Sequence, residues 1–199
     1  CCGGRVAVDL RFADTDLRQE LLERISAEDG RLPHVYVFGA GHVGRALAQI
    51  LTLLPVRLEV IDTRREELAA LPPDIPARAV AMPEAVVRTA PAGSAFVILT
   101  HDHALDFLIA QEALNRRDAA YVGMVGSATK RARFSSWFRE EGGHPAALDR
   151  LVLPIGAQGL GDKRPAVIAA LAAAEILVHI GQREADVVRA DTPEQSGVA

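Results

Sequence analysis

His34-Val-Tyr-Val-Phe-Gly-Ala-Gly-His-Val-Gly44 decides how the rest of the chain is read. Residues 35–38 form a short apolar run. Gly39, Gly41 and Gly44 follow at the spacing G-x-G-x-x-G, and an amphipathic stretch, 43–54, comes next. Strand, glycine turn and helix in that order are the setting that a dinucleotide-type fingerprint requires. Each glycine has a steric role. Gly39 permits the tight turn, Gly41 lets a phosphate approach the backbone, and Gly44 lets the helix lie close to the strand. The N–H groups opening the helix, from His42 onward, then face an anion. Arg57-Leu-Glu-Val-Ile-Asp62 reads as the next strand. Asp62 follows Gly44 by 18 residues, close to the spacing of a carboxylate that holds ribose hydroxyls.

Outward from this unit, strand-like and helix-like stretches alternate, which implies a parallel sheet. Residues 63–71 are a charged helical segment, broken by Pro72, Pro73 and Pro76. Residues 77–82 read as a short strand and 83–89 as a short helix. Residues 95–100 read as a buried strand, apolar on both faces. A helix over 104–116, a strand over 120–125, a basic helix stopped by Gly142-Gly143, and a strand near 151–153 complete the pattern. The last helix is expected over 163–180, capped by Asp162 with Pro165 in its first turn. It is apolar nearly all round, which predicts burial in the core or in an oligomer interface. Phe134, Trp137 and Phe138 are expected in the core.

Before the glycine unit, Val6, Val8, Leu10 and Phe12 alternate with Arg5, Ala7, Asp9 and Arg11, the period of a half-buried strand. Asp16 is the expected cap of a following helix, with Gln19 as its capping-box partner. Residues 28–31 read as a polar linker. The expected fold is therefore α/β: a Rossmann-like doubly wound parallel sheet with helices on both faces, preceded by a short strand–helix remnant of an N-terminal domain. The predicted organisation is 1–30 remnant and linker, 31–185 Rossmann-like domain, and 186–199 a polar mobile tail.

The 199 residues suit one such domain plus a fragment, and 49% hydrophobic content supplies a sizeable core. A start at Cys1 rather than Met is expected of a piece or a processed form. The net charge of −4 argues against general nucleic-acid binding. No uninterrupted apolar run approaches the roughly 18 residues of a membrane span. No signal-peptide pattern is visible. Two adjacent cysteines, Cys1 and Cys2, fit a reducing cytoplasm better than a disulfide framework. Beside Gly3-Gly4 they read as inert small residues or as soft ligands for a metal, with both readings open.

In a doubly wound sheet the loops after the strands gather at the carboxyl edge, where ligands bind. Four such loops carry unusual chemistry. The glycine loop holds His42. Thr100-His-Asp-His103 holds His101, Asp102 and His103, with Asp106 a further acceptor. His101 and His103, with His42 as a third nitrogen, could chelate a metal, but His-x-His alone is unspecific, and contact with a polar ligand is the favoured reading. No metal is assigned. The third loop, residues 123–131, looks like a second anion seat: Gly126 gives backbone access, Ser127 offers a hydroxyl and a cap, and Lys130 and Arg131 add charge. The competing reading there is a capped helix with a solvated basic face. The fourth loop, 154–165, carries Gly156 and a second glycine pair.

Together these motifs resemble XdhC, the xanthine dehydrogenase accessory family of molybdenum cofactor chaperones. The likeness runs over nearly the whole chain. Cys1-Cys2-Gly-Gly-Arg-Val6 is similar to the cysteine–glycine motif that closes the family's N-terminal domain. The glycine loop, Val60-Ile-Asp-Thr-Arg64, Leu99-Thr-His-Asp-His-Ala-Leu-Asp106, Tyr121 through Phe134, and Pro154-Ile-Gly156 match in the expected order. Ala157 and Leu153 stand where the family usually has Leu and often has Cys. The resemblance implies binding of the molybdenum cofactor (molybdopterin), its protection and delivery to xanthine dehydrogenase or a related molybdoenzyme, self-association, and work with a cysteine desulfurase in the cytoplasm. The implied cofactor contacts are Gly39, Gly41, His42, Gly44, Asp62, His101, Asp102, His103, Gly126, Ser127, Lys130, Gly156, Cys1 and Cys2, with no catalytic residue. An NAD-dependent oxidoreductase or a regulatory nucleotide-binding module is the alternative. For the first, Asp62 favours NAD while Arg64 and Arg65 blur the preference, and His101, His103 or Lys130 would supply acid–base chemistry.

Overall fold

Val35 and Val37 turn to one side of strand β1 (His34–Phe38), and Tyr36 and Phe38 to the other. All four are buried, so β1 lies inside the sheet with both faces covered. In the computed structural model the described residues are 4, 5, 7–156 and 161–191. After β1 come helix α2 (His42–Leu51), β2 (Arg57–Asp62), α3 (Arg65–Leu68), β3 (Ala77–Ala79), α4 (Pro83–Thr89) and β4 (Ala95–Ile98). Then follow α5 (His103–Asn115), β5 (Tyr121–Met124), α6 (Ala128–Glu140), a 3-10 turn (Pro145–Arg150), β6 (Leu151–Val152) and α7 (Pro165–Asp191). A helix named α1 (Thr15–Arg31) precedes them.

The six strands lie in the order β3-β2-β1-β4-β5-β6, and every registered pair is parallel. This is the doubly wound arrangement expected from the strand–helix alternation. One face packs against α2 and α7, with Leu47, Leu51, Ala172, Ala173 and Ile176 over Val35, Val60 and Val97. The other packs against α4, α5 and α6, with Val87, Ile109, Phe134 and Phe138 over Phe38, Phe96 and Met124. Phe134 and Phe138 are thus core residues, as their spacing predicts, and half-buried Trp137 packs against Phe107 in a tilted pair with ring centroids 5.4 Å apart. Val35 pairs with both Leu58 and Ala95, so the strand order reverses between β1 and β4. The switch point where ligands bind in open sheets is there.

The chain divides into two compact units between Leu32 and Pro33. In the first, the alternation over 7–12 does not make a strand. Val8, Leu10 and Phe12 are exposed, and none of 7–12 is registered with a neighbour. A period of two says which side chains share a face, but a strand also needs a partner to hydrogen-bond. The cap of α1 is Asp14, whose side chain accepts from the Leu17 N–H at 2.8 Å, and Gln19 bonds Glu23 instead of closing a capping box. The expected linker at 28–31 is the last turn of α1.

In the second unit the elements are shorter at some ends and longer at one. The charged segment at 63–71 is helical only over α3, and the strand at 77–82 only over β3. Gly142, at φ +80°, ends α6 as expected. The last helix, however, runs on to Asp191, so residues 186–191 are helix and not tail. The rest of the expected tail, 192–199, lies outside the described residues. The helix segment Pro165–Val187 is long and apolar enough, by length and composition, to cross a membrane, with mean hydropathy 1.6. Run length alone misses this because Glu175 and His179 interrupt the apolar stretch. Ala169, Ala172, Ala173, Ile176 and Ile180 of this helix are buried in the domain core. Burial is confined to that side: Ala170, Ala174 and Val178 are exposed, against the expectation of a helix buried all round.

Candidate functional site

At the β1/β4 switch point the glycine loop meets the Leu99–Asp102 loop. Gly39 has φ +114°, a conformation that suits glycine, and a Cβ there would overlap the Leu99 carbonyl oxygen. Its N–H donates to the Ile61 carbonyl at 2.7 Å. A Cβ on Gly44 would overlap the Gly39 carbonyl, so α2 can lie this close to β1 only with glycine there. Gly41 differs from both. Its φ of −68° admits any residue, and a Cβ would meet nothing within 4 Å. It stands at the N-cap of α2 with no side chain capping the helix. A glycine with neither a backbone nor a packing reason beside uncapped helix N–H groups leaves room for a ligand's close approach.

Asp62 ends β2 and is only 5% exposed. Its Oδ2 accepts from the Ala40 N–H at 2.8 Å, which ties the second strand to the glycine loop. Its Oδ1 accepts from the Arg64 N–H at 3.0 Å, and the Arg64 guanidinium donates to both oxygens. Burial pushes this carboxyl up. The Arg64 side-chain bond, the two N–H bonds and the guanidinium charge outweigh that, and hold it below the ordinary 3.8. Both oxygens are therefore engaged within the protein. Arg64 and Arg45 also pair with Glu67, so a chain of charges joins α2, α3 and the end of β2 beside the loop. This chain is not visible from the fingerprint. Its local signal is the i,i+3 spacing of Arg64 and half-buried Glu67, while Arg45 arrives from α2.

Across the switch point, Asp102 caps α5 through the Ala104 N–H at 2.8 Å. His101, Asp102 and His103 are exposed, as is His42. Behind them Asp106 is fully buried. It accepts from the Thr100 N–H at 3.0 Å and from the Thr100 hydroxyl at 2.7 Å, and it is ion-paired with Lys130. Lys130 also donates to the Val125 carbonyl at 2.9 Å. This corrects the reading of the third loop. Lys130 is turned inward, to hold the β4 and β5 loops together, and Arg131 donates to the Leu151 and Leu153 carbonyls near 3 Å. Neither is a free cation for an anion. Gly126 packs on this arrangement, since a Cβ would stand 2.6 Å from Lys130 Cδ and 3.0 Å from Leu153 Cδ1. Ser127 caps α6 through the Lys130 N–H at 3.3 Å and remains exposed. Gly156, at φ +60°, makes the turn after β6, where a Cβ would crowd the Ile168 carbonyl of α7 at 2.9 Å.

Among the described residues no group of three or more His, Cys, Asp or Glu is arranged to hold a metal. Cys1 and Cys2 lie outside the described residues. The accessible set at the carboxyl edge is thus half-buried Gly41 with the exposed His42, His101, Asp102, His103 and Ser127.

The family model for the XdhC Rossmann domain matches residues 35–176. The chain belongs to the XdhC family. The matched span takes in every candidate site residue except Cys1 and Cys2. The uncharacterised protein YqeB of Escherichia coli strain K12 is 33% identical over 155 residues, 74% of this XdhC-family chain and 27% of that protein's length. A crystal structure described as a xanthine dehydrogenase from Bacillus halodurans superposes with a TM-score of 0.64 at 19% identity. It covers 81% of this chain and 45% of that one, a likeness of fold. The chain therefore spans less than half the length of either relative.

Proposed function

We propose that this XdhC Rossmann domain binds the molybdenum cofactor and serves its delivery to xanthine dehydrogenase or a related molybdoenzyme. The observation that carries this reading is Gly41, a glycine in open space at an uncapped helix N-terminus on the β1/β4 switch point. The cofactor is a pterin bearing a phosphate, and when bound it supplies the metal–dithiolene centre that the client enzyme uses. The N–H groups of the first turn of α2 are suited to the phosphate. His42, His101, Asp102 and His103 offer donors and acceptors to a pterin edge, and Ser127 a hydroxyl. Cys1 and Cys2 carry soft sulfur, the class of ligand that suits such a metal. Binding and release need no nucleophile, so the role is that of a binding and insertion factor and not an enzyme. A cysteine desulfurase partner, self-association and a cytoplasmic location belong to the same reading. Its support comes from the family membership and from the description carried by the Bacillus halodurans structure.

NAD is the second reading, favoured by the strand order and by Asp62 at the ribose position. The engagement of both Asp62 oxygens by Ala40 and Arg64 weighs against it. One experiment separates the two. The protein is purified from cells that make the cofactor, oxidised, and assayed for the fluorescent pterin product, with NAD titrated in parallel. Pterin near one per chain, and none in Gly41→Val, is the expected result. NAD binding with no pterin would move the assignment to an oxidoreductase or a regulatory nucleotide module.

A further inference from the structure

A recess of about 550 Å³ opens at the other end of the sheet from the glycine loop. Arg117, just before β5, and Arg150, just before β6, line it with His144 and Asn115. Leu114 and Ala147 add apolar wall. No carboxylate is among the lining residues. The Arg150 guanidinium is held in place by the Leu114 and Arg116 carbonyls, the latter at 2.8 Å. Among the described residues neither Arg117 nor Arg150 is in an ion pair. Asp118, the carboxylate that bears on Arg150, is already bonded through both oxygens to Arg116. Burial, then the charges of Arg117 and Arg183, push the Arg150 guanidinium below its usual range. A protein of net charge −4 therefore keeps an uncompensated cationic corner around a cavity.

We propose that this recess is a second ligand site, taking a small multivalent anion: a phosphate ester or a polycarboxylate. The exposed Arg117 guanidinium offers a fork of donors that matches either group, while Arg150, both of whose terminal nitrogens donate to the Leu114 and Arg116 carbonyls, adds its positive charge to the wall. The volume lies within the usual range for small-molecule sites of roughly 300–1,000 Å³. It exceeds what a bare phosphate fills, and Leu114 and Ala147 suit the carbon body of an organic anion.

The test uses the Gly41→Val protein, so that the glycine loop does not compete for anions. Amide NMR shifts are followed during separate titrations with inorganic pyrophosphate and with citrate. Saturable shifts at Asn115, Gly142 and Ala147 are expected in one arm or both, and the stronger arm tells phosphate from carboxylate. Arg117 is exposed, so Arg117→Gln leaves the fold intact, and it should weaken binding by about tenfold or more, the scale of one charge-assisted hydrogen bond. No saturable shift at these amides in either arm would overturn the proposal. So would an unchanged midpoint in Arg117→Gln.

Discussion

The Lys130 ammonium is ion-paired with the Asp106 carboxylate, and both side chains are buried beneath the loops of the carboxyl edge. The pair joins α5 to α6 and, through Thr100, fixes the loop that carries His101 and His103. Lys130→Met should lower stability in urea unfolding by about 3 kcal/mol, because it strands a buried carboxylate. A loss below about 1 kcal/mol, the range of an exposed pair, would mean that water reaches Asp106.

Gly41 and Gly44 should behave in opposite ways although they share one motif. Gly44→Ala forces α2 off β1 and should cost about 1–3 kcal/mol, the usual range for overpacking, or more. Gly41→Ala meets no atom and removes freedom from the unfolded chain, so stability should hold or rise by about 0.5 kcal/mol. Equal losses in thermal unfolding of the two variants would show that Gly41 is needed for the fold itself.

Asp62 gives the low-pH limb of stability a definite sign. Its folded pKa lies below the ordinary 3.8, so the native state holds fewer protons on it than the unfolded state. That contribution is complete above about pH 4 and is lost as pH falls through the folded value. The stability gap between the wild type and Asp62→Asn should be flat from neutral pH down to that region, and should then narrow. A gap that widens on acidification would reverse the assignment.

Both tyrosines of the chain should resist ionisation. Tyr121 donates to the buried Glu175 carboxylate at 2.5 Å. Burial, then that bond and the Glu175 charge, push its phenol far above 10. Tyr36 is pushed up by burial and by Glu59, with Arg78 and Arg116 opposing. The folded state therefore keeps protons that the unfolded state releases, and stability should fall as pH climbs past about 10. In an ultraviolet titration Tyr121 should give phenolate only together with alkaline unfolding, and Tyr36 only above the ordinary 10. A separate phenolate transition near pH 10 in folded protein would refute this for the tyrosine concerned.

The parts of the fold that are legible in the sequence are those set by local sterics. The positive φ at Gly39, the need for glycine at 44 against the Gly39 carbonyl, the strand ending at Asp62, and the apolar strands β1 and β4 all follow from near neighbours in the chain, whereas the Leu99 carbonyl that also crowds Gly39 does not. Lys130 and Arg131 are not legible in this way. Beside Ser127 they read as charge for an anion, and only the arrival of Asp106 and the β6 carbonyls from other segments turns them inward. Asp62 is half legible: its place is set by spacing, but Arg64 claims its oxygens through a turn too short to carry a pattern. The alternation over 7–12 shows the converse, a clear local pattern with no pairing partner among the described residues. The run of α7 past Ile180 is hidden because Gly181 and polar residues look like an ending, yet no proline enforces one before Asp191.

The pairing of Val35 with Ala95 has a consequence for how the site comes into being. Val35 and Ala95 are separated in the chain by α2, β2, α3, β3 and α4, so closing the switch point carries a loop-entropy cost and is slow relative to local helix formation. The glycine loop also waits on Asp62 for its Ala40 bond. A nascent chain emerging from the ribosome therefore has no ligand cradle until β4 has been made and has found β1. Assembly of the switch point follows the synthesis of β4, and a chain cut short after α4 has the fingerprint without the β1/β4 crevice.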